Sequence, residues 1–493
     1  MKKIAFVVLS AIAGNAFAQN QEEVFRYTLT QTQGSVRSLG AGGAWGAVGA
    51  DLGGAAINPA GLGFYKRNEV MGSMAITSTF NKASYNGNEA SDTRTNFNIP
   101  NFGAAFHADL GYTGSSASAI TFAFGMNRLA NFQNNEQYNG IGKNTTVGDH
   151  LAKLANGLDS NAFLSSERDN DLIAQAWRLS MIYNDNSPKT YGSWQSISGD
   201  TNYTMRQSEQ ISNRGRINEW YASSGLNIGN TLYLGASLVV QGVRFTQDKT
   251  YREVLKESSL PDNQYNGSSI NQFSETRGSG VGGKFGAIIR PIDAFRLGIS
   301  YHTPVRMNLN KQYQIVTKAT YDGFTYTQDA GRMDEYNYQI ITPGRLTASA
   351  AIVLGKFMVI STDIERVDFS LGKLNDKEGL ADFSFSNDAM KTTYGTATNI
   401  RTGLEVAAGF SRIRLGYASL GSPYQEQVVS KKDGQRHLIS GGFGWVLDDS
   451  YFFDFAVQGL IGKNFITSYD GMPSSASNES LTLNFMFGTG VRF

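Results

Sequence analysis

From Leu481 to the end of the chain, apolar and polar side chains alternate with a period of two. Leu481, Leu483, Phe485, Phe487, Val491 and Phe493 fall on one face, and Thr482, Asn484, Gly488 and Arg492 on the other. A run of this length suits one membrane-crossing β-strand with its apolar face in lipid and its polar face in a lumen. The pattern recurs at Ile120, Phe122, Phe124 and Met126, at Leu232, Leu234, Ala236, Leu238 and Val240, and at Phe295, Leu297, Ile299 and Tyr301. It returns at Leu346, Ala348, Ala350, Ile352 and Leu354, and at Tyr451, Phe453, Phe455 and Val457. Strands are expected to begin near Glu69, Asn96, Ser118, Gly215, Thr231, Asn271, Phe295, Tyr336, Lys356, Tyr394, Ser411, Gln435, Tyr451 and Leu481. That makes about fourteen, an even number as single-chain bacterial barrels require. The fold class expected is therefore all-β: a 14-stranded antiparallel transmembrane β-barrel.

The connections alternate in length. Tight ones such as Gly229-Asn230, Pro291-Ile292-Asp293 and Asp448-Asp449-Ser450 fall on one side, with both chain ends, and the long ones on the other. This sets the tight turns in the periplasm and the long loops outside. Pro100, Pro304 and Pro343 interrupt strand patterns, where a missing N–H breaks the ladder; bulges or sheet edges toward the outer strand ends are expected there. The longest connection, roughly Ala130 to Asn213, carries Leu151, Leu154 and Leu158 at helical spacing, then Leu172, Ile173, Ala176 and Trp177 in the same style. Two short amphipathic helices are expected in this extracellular loop. They either pack on each other or form an apolar capture groove, for which Leu151, Leu154, Leu158 and Trp177 are the candidate residues.

The start of the chain has another character. Met1-Lys2-Lys3, an apolar run from Ile4 to Ala13 and Ala16-Phe17-Ala18 read as a cleaved export signal over 1–18; the apolar run is shorter than the roughly 20 residues of a spanning helix. Residues 19–67 are crowded with glycines, among them Gly40, Gly42, Gly43, Gly46, Gly53, Gly54, Gly61 and Gly63, interleaved with Val36, Leu39, Trp45, Leu52, Ile57 and Leu62. Small residues suit backbone that must pass close to other backbone, and the apolar ones give the segment much to bury. A barrel of this size has a wide lumen, so 19–67 is expected to fold inside it as a plug, with 68–493 forming the barrel.

Composition narrows the function. Of 493 residues none is cysteine, which removes disulfides, thiolate metal sites and a lipoprotein anchor. A net charge of +1 argues against nucleic acid as a partner. The histidines are His107, His150, His302 and His437, none in a nucleophile motif, so no enzyme, no catalytic residue, no metal site and no cofactor are expected. A hemin receptor, ligated for example by His150, stays open as a rival reading, as does a general diffusion porin.

Within the glycine-rich segment, Ser35-Val36-Arg37-Ser38-Leu39-Gly40-Ala41-Gly42-Gly43-Ala44, Asp51 and Asn58-Pro59-Ala60-Gly61-Leu62 resemble the N-terminal signature of the outer-membrane long-chain fatty acid transporter family, the FadL/TodX group. Leu297-Gly298-Ile299-Ser300-Tyr301-His302-Thr303-Pro304-Val305, Thr342-Pro343-Gly344-Arg345-Leu346 with Asp363, and Arg414-Leu415-Gly416-Tyr417 before Ser422-Pro423 follow in the family's order. The overall form resembles versions from Bacteroides-like bacteria, some of which are labelled hemin receptors. The resemblance implies a fourteen-stranded barrel whose lumen holds an N-terminal hatch, with Asn58, Pro59 and Ala60 at the gate. It also implies passive uptake of hydrophobic compounds such as long-chain fatty acids, caught by outer loops, held in a barrel pocket and released sideways through the wall. Inward arginines, Arg401, Arg412 and Arg414, are candidates to meet a carboxylate head. The partners expected are hydrophobic small molecules, outer-membrane lipids and lipopolysaccharide, and the barrel assembly machinery, for a monomer in the Gram-negative outer membrane.

Overall fold

The alternation closes into a ring. A computed structural model describes residues 21–30, 34–111, 117–165, 168–185, 187–260, 264–376, 382–469, 472 and 474–493; the expected export signal and its cleavage site lie outside them. Fourteen antiparallel strands follow one another round the barrel. They are β1 (Glu69–Tyr85), β2 (Asn88–Asn98 and Asn101–Asp109), β3 (Ala117–Asn131 and Asn134–Lys143), β4 (Thr204–Ile228), β5 (Leu232–Glu257), β6 (Tyr265–Ile292) and β7 (Phe295–His302 and Arg306–Tyr321). The circuit continues with β8 (Phe324–Asp329, Asp334–Ile341 and Arg345–Leu354), β9 (Met358–Asp368), β10 (Thr396–Ala408), β11 (Ser411–Leu420), β12 (Arg436–Leu447), β13 (Tyr451–Ile466) and β14 (Ala476–Arg492). β14 pairs with β1 from Glu69↔Arg492 to Ser84↔Ser477, which closes the sheet.

The outer surface is apolar where a soluble protein would be polar. Leu238, Phe285, Ile299, Leu415 and Ile439 are each more than half exposed, in a belt far larger than a water-soluble monomer leaves uncovered. Inward positions are the reverse: Thr121, Glu219, Lys284, Asp363 and Arg414 are buried in the lumen. This is a membrane barrel, with lipid outside and a polar interior. Among the described residues no helix is long and apolar enough to cross a membrane.

Three strands are longer than their apolar alternation suggested. β4 begins at Thr204 and β6 at Tyr265, well before Gly215 and Asn271, and β3 continues to Lys143. Above the lipid band the outward residues turn polar while the backbone ladder continues, so the hydrophobic signal ends before the strand does. The connection expected over Ala130–Asn213 accordingly shortens to 144–203. It contains helices Val147–Ala155 and Leu172–Arg178.

Each of the three prolines lies in a strand break, at residues 99–100 in β2, 303–305 in β7 and 342–344 in β8. The breaks fall in mid-strand rather than toward the outer ends, because β7 and β8 resume pairing above them, from Arg306↔Ile341 to Tyr313↔Asp334.

Candidate functional site

The lumen is filled at one level by residues 34–67. Ser35 caps the short helix Val36–Gly40 by accepting from Ser38 N, and donates to the Asp51 carboxylate at 2.7 Å. Asp51 also accepts from Gly54 N at 2.8 Å, which ties the two halves of the segment together. Asn58 caps the 3-10 turn Pro59–Phe64: its Oδ1 accepts from Ala60 N at 3.1 Å and its Nδ2 donates to Gly46 O at 2.9 Å. Pro59 occupies the first helical position, where its missing N–H costs nothing. Trp45, Leu52, Ala60 and Leu62 are fully buried.

The wall makes room for this backbone with its own glycines. Gly225, Gly235 and Gly286 stand opposite one another on β4, β5 and β6; a Cβ on them would overlap Leu62, the Pro59–Ala60 peptide and Asn58 respectively. Gly403 and Gly416 are likewise paired on β10 and β11 and face Ala41 and Gly42. Gly416→Ala is expected to push the hatch off the wall, since the added methyl meets backbone rather than a flexible side chain. It should lower the midpoint of thermal unfolding, by several degrees for about 1–3 kcal/mol of overpacking, as followed by the heat-modifiable gel shift.

Charged wall groups hold the same segment. Arg37 donates to Glu405 on β10 at 2.6 and 2.9 Å, and Glu405 also accepts from Arg414 of β11, whose other arm reaches Asp454 of β13 at 2.6 Å. Burial works against the Arg37 charge, but Glu405 more than offsets it and holds the guanidinium above its ordinary value. Asp363 on β9 accepts from Trp45 N and Gly46 N at 3.0 Å. Lys284 reaches Ala56 O at 3.0 Å, and His302 lies 2.8 Å from Ile57 O. The wall thus satisfies hatch backbone groups that the turns of the hatch leave over, as burial demands.

Above the hatch the lumen opens into a cavity of about 1550 Å³. Residues 21–28 form a helix that lies along it. Glu23 pins this helix through Lys311 and the Tyr338 hydroxyl, while Phe25 presents its ring to the cavity, stacked on Tyr394 at 4.5 Å and 5.6 Å from Tyr424. Across from it Phe132 packs edge-on against Phe245 at 5.2 Å, and Arg26 sits over the same Phe245 ring at 4.2 Å. Leu151 and Leu154 of the first loop helix, and Leu172 and Ile173 of the second, close the outer side.

Of the sequence candidates, Leu151 and Leu154 line this cavity with His150. Leu158 and Trp177 do not. Leu158 is buried in the loop's own core, where its carbonyl accepts from the Tyr191 hydroxyl, and Trp177 packs on Phe163 and Tyr191. Arg401 lies lower, paired to Glu365 at 3.1 Å, and Arg412 sits at the tight turn donating to Gly409 O and Ser411 O. Arg414 belongs to the hatch network. Asn58, Pro59 and Ala60 sit in the hatch against β5, β6 and β7. Among the cavity residues missed by sequence reasoning are Phe25, Phe245, Tyr394, Tyr424 and Arg436, which come from five separate segments with no shared spacing.

The wall beside the cavity is incomplete. The outer half of β2, Asn88–Asn98, pairs only with β1, and the outer half of β3, Asn134–Lys143, pairs only with β4. Among the described residues no backbone ladder joins the two, and β3 carries a register irregularity at Arg128–Ala130 in its pairing with β4. Side chains span the slit instead: Arg94 to Gln133 at 2.8 Å and to Asn135 at 3.0 Å, Asn131 to Asn96 at 3.2 Å, and Gln137 to Ser91 O at 2.7 Å. Its inner rim, Asn131 to Asn134, lines the cavity, and its outer rim carries the exposed Phe97 and Ile99.

No protein-family profile matches the sequence, and neither does any curated protein. Among solved structures the chain is similar in fold to a Pseudomonas aeruginosa FadL homologue, with a TM-score of 0.54 at 12% identity over 94% of this chain and 99% of that one. It is similar also to the Pseudomonas putida toluene transporter TodX, at 0.52 and 14% over 94% and 100%. For the CymD monoaromatic hydrocarbon channel the values are 0.50 and 12% over 94% and 97%. The fold is thus the barrel of the FadL/TodX group, the one to which the sequence motifs pointed.

Proposed function

We propose that this chain acts as a passive outer-membrane channel for small hydrophobic compounds, a reading supported by its likeness in fold to a toluene transporter and a monoaromatic hydrocarbon channel. A molecule caught between the loop helices enters the aromatic cavity, and the hatch prevents straight passage of water and solutes below it. The observation that carries the reading is a chamber of mixed lining with an aromatic cluster of Phe25, Phe132, Phe245, Tyr394 and Tyr424, stacked on the hatch and flanked by a slit in the barrel wall. A water-filled porin has no use for such a chamber, whereas an oily molecule gains about 25 cal/mol for each Å² of apolar surface it buries. Release sideways through the slit spares the cargo a polar lumen. Fatty acids and aromatic hydrocarbons are both within this class. Export by a signal cleaved after Ala18, assembly by the barrel assembly machinery, contact with lipopolysaccharide and a monomeric state complete the proposal.

The test is uptake of labelled oleate and labelled toluene by host cells lacking their own hydrophobe channel. Cells carrying the protein should take up one or both faster than cells with empty vector, and equal rates overturn the reading. Phe25→Asp, which sets an unpaired charge in the aromatic box, is expected to reduce uptake by about tenfold, as the cost of desolvating a lone carboxylate beside an apolar ligand dictates.

Hemin is the second reading, favoured by His150, which lines the same cavity within 5.8 Å of the Tyr469 ring. It requires a Soret shift on titration with hemin that is lost in His150→Ala.

A further inference from the structure

The lipid-facing surface of β4, β5 and β6 is ordered in rows, because the three strands pair without a bulge through this region. Trp220, Val240 and Val281 stand directly opposite one another and form the top of the apolar band, each more than two-fifths exposed. One row up are Asn218, Gly242 and Ser279. The next row is Arg216, Arg244 and Arg277. The parity that turns Trp220 toward lipid turns these arginines outward too, and the Arg244 and Arg277 side chains are 56% and 61% exposed. Four residues separate each arginine from the apolar row, about 13 Å along the strand, which puts the guanidinium groups at headgroup level above a lipid band of about 25 Å.

Three like charges in register across neighbouring strands destabilise a sheet. Glu275, one row higher, accepts from Arg244 at 3.1 Å and from Arg277 at 2.8 Å and so offsets one charge. The Arg216 side chain makes no ion pair or hydrogen bond with any described residue. On β3, Arg128 donates to Asn218 at 3.2 Å and brings a fourth guanidinium to the same place. Neighbouring strands are about 4.8 Å apart, so the row spans a width within reach of a single headgroup.

We propose that this row is a binding site for the phosphate groups of an outer-leaflet glycolipid, whose acyl chains lie on the apolar rows beneath it. Guanidinium forks match phosphate oxygens in pairs, and cations at a charged membrane surface draw anionic lipid to themselves. The site requires only that the barrel stand in a membrane with a phosphorylated glycolipid outer leaflet, and not that it transport anything.

The intact protein in phosphatidylcholine nanodiscs is titrated with diphosphorylated lipid A, with dephosphorylated lipid A and with inorganic phosphate, and bound lipid is counted by native mass spectrometry. Diphosphorylated lipid A should bind and delay thermal unfolding, and dephosphorylated lipid A should do neither. The variant Arg216→Gln/Arg244→Gln/Arg277→Gln should bind the phosphorylated lipid at least about tenfold more weakly, while Arg290→Gln, near the tight-turn end of β6, should bind as the parent does. Equal binding of the two lipid A forms, an unaffected triple variant, or the same stabilisation from inorganic phosphate alone overturns the assignment. Should the triple variant fail to fold, the comparison of the two lipids on the parent protein still decides it.

Discussion

Arg414→Met is expected to unseat the hatch and turn a closed barrel into a leaking one. Arg414 is 2% exposed and stands between two carboxylates, Glu405 and Asp454, at 2.6 Å from each. Glu405 is at the same time the anchor of Arg37, the hatch's own cation. In the parent, two arginines face two acids. In the variant, one arginine faces two buried acids, and a buried ion pair broken on one side costs about 3–5 kcal/mol. The barrel strands carry their own ladders and keep their register, so the weaker hatch–wall interface takes the loss. Planar-bilayer recordings should show rare openings for the parent and frequent or sustained ones for Arg414→Met. Protease added from the tight-turn side should cut within 34–67 in the variant alone. Arg412→Met, two residues away at the turn and bonded to local carbonyls, should leave the current unchanged. A parent protein with a large steady conductance would mean that 34–67 does not seal the lumen.

The same contrast between Arg412 and Arg414 marks how far the sequence could be read. Alternation assigns both to the inward face, and both are inward, but parity carries no height. One arginine lies in the hatch network and its neighbour of the same parity at the rim. Strand starts inside the lipid band, such as Phe295, Ser411 and Tyr451, fall where the apolar alternation begins. Those above it, Thr204 and Tyr265, do not, because outside lipid a strand's outer face is free to be polar. The glycines of the hatch signalled close backbone approach, yet their wall counterparts, Gly235 with Gly286 and Gly403 with Gly416, were invisible as sets, since only strand register brings each pair together. The loop helices were legible from their spacing, and so Leu151 and Leu154 were found. Tyr394 and Tyr424 were not, because a cavity wall built from separate loops leaves no period in the chain.

Bridging the slit between β2 and β3 is expected to abolish uptake while leaving the cavity able to fill. Asp92 and Asn135 face each other across it, with Asn135 Nδ2 3.5 Å from the Asp92 carboxylate. The chain has no cysteine, so Asp92→Cys/Asn135→Cys introduces the sole thiols, which a short reducible bis-thiosulfonate can join. Among the described residues the slit is bridged by side-chain hydrogen bonds and not by a backbone ladder; each is worth about 1 kcal/mol net in contact with solvent, whereas a ladder adds such bonds continuously and co-operatively along its length. Thermal motion can therefore part the slit without unzipping the barrel, and a covalent bridge removes that freedom at little cost to the fold. Cells with the bridged variant should take up labelled cargo at the empty-vector rate and recover after reduction, and a fluorescent hydrophobe should bind the purified bridged protein as it binds the parent. Uptake that persists in the bridged form would place the exit past the hatch instead of through the wall, and Arg414→Met would then raise the rate of cargo transfer as well as the leak.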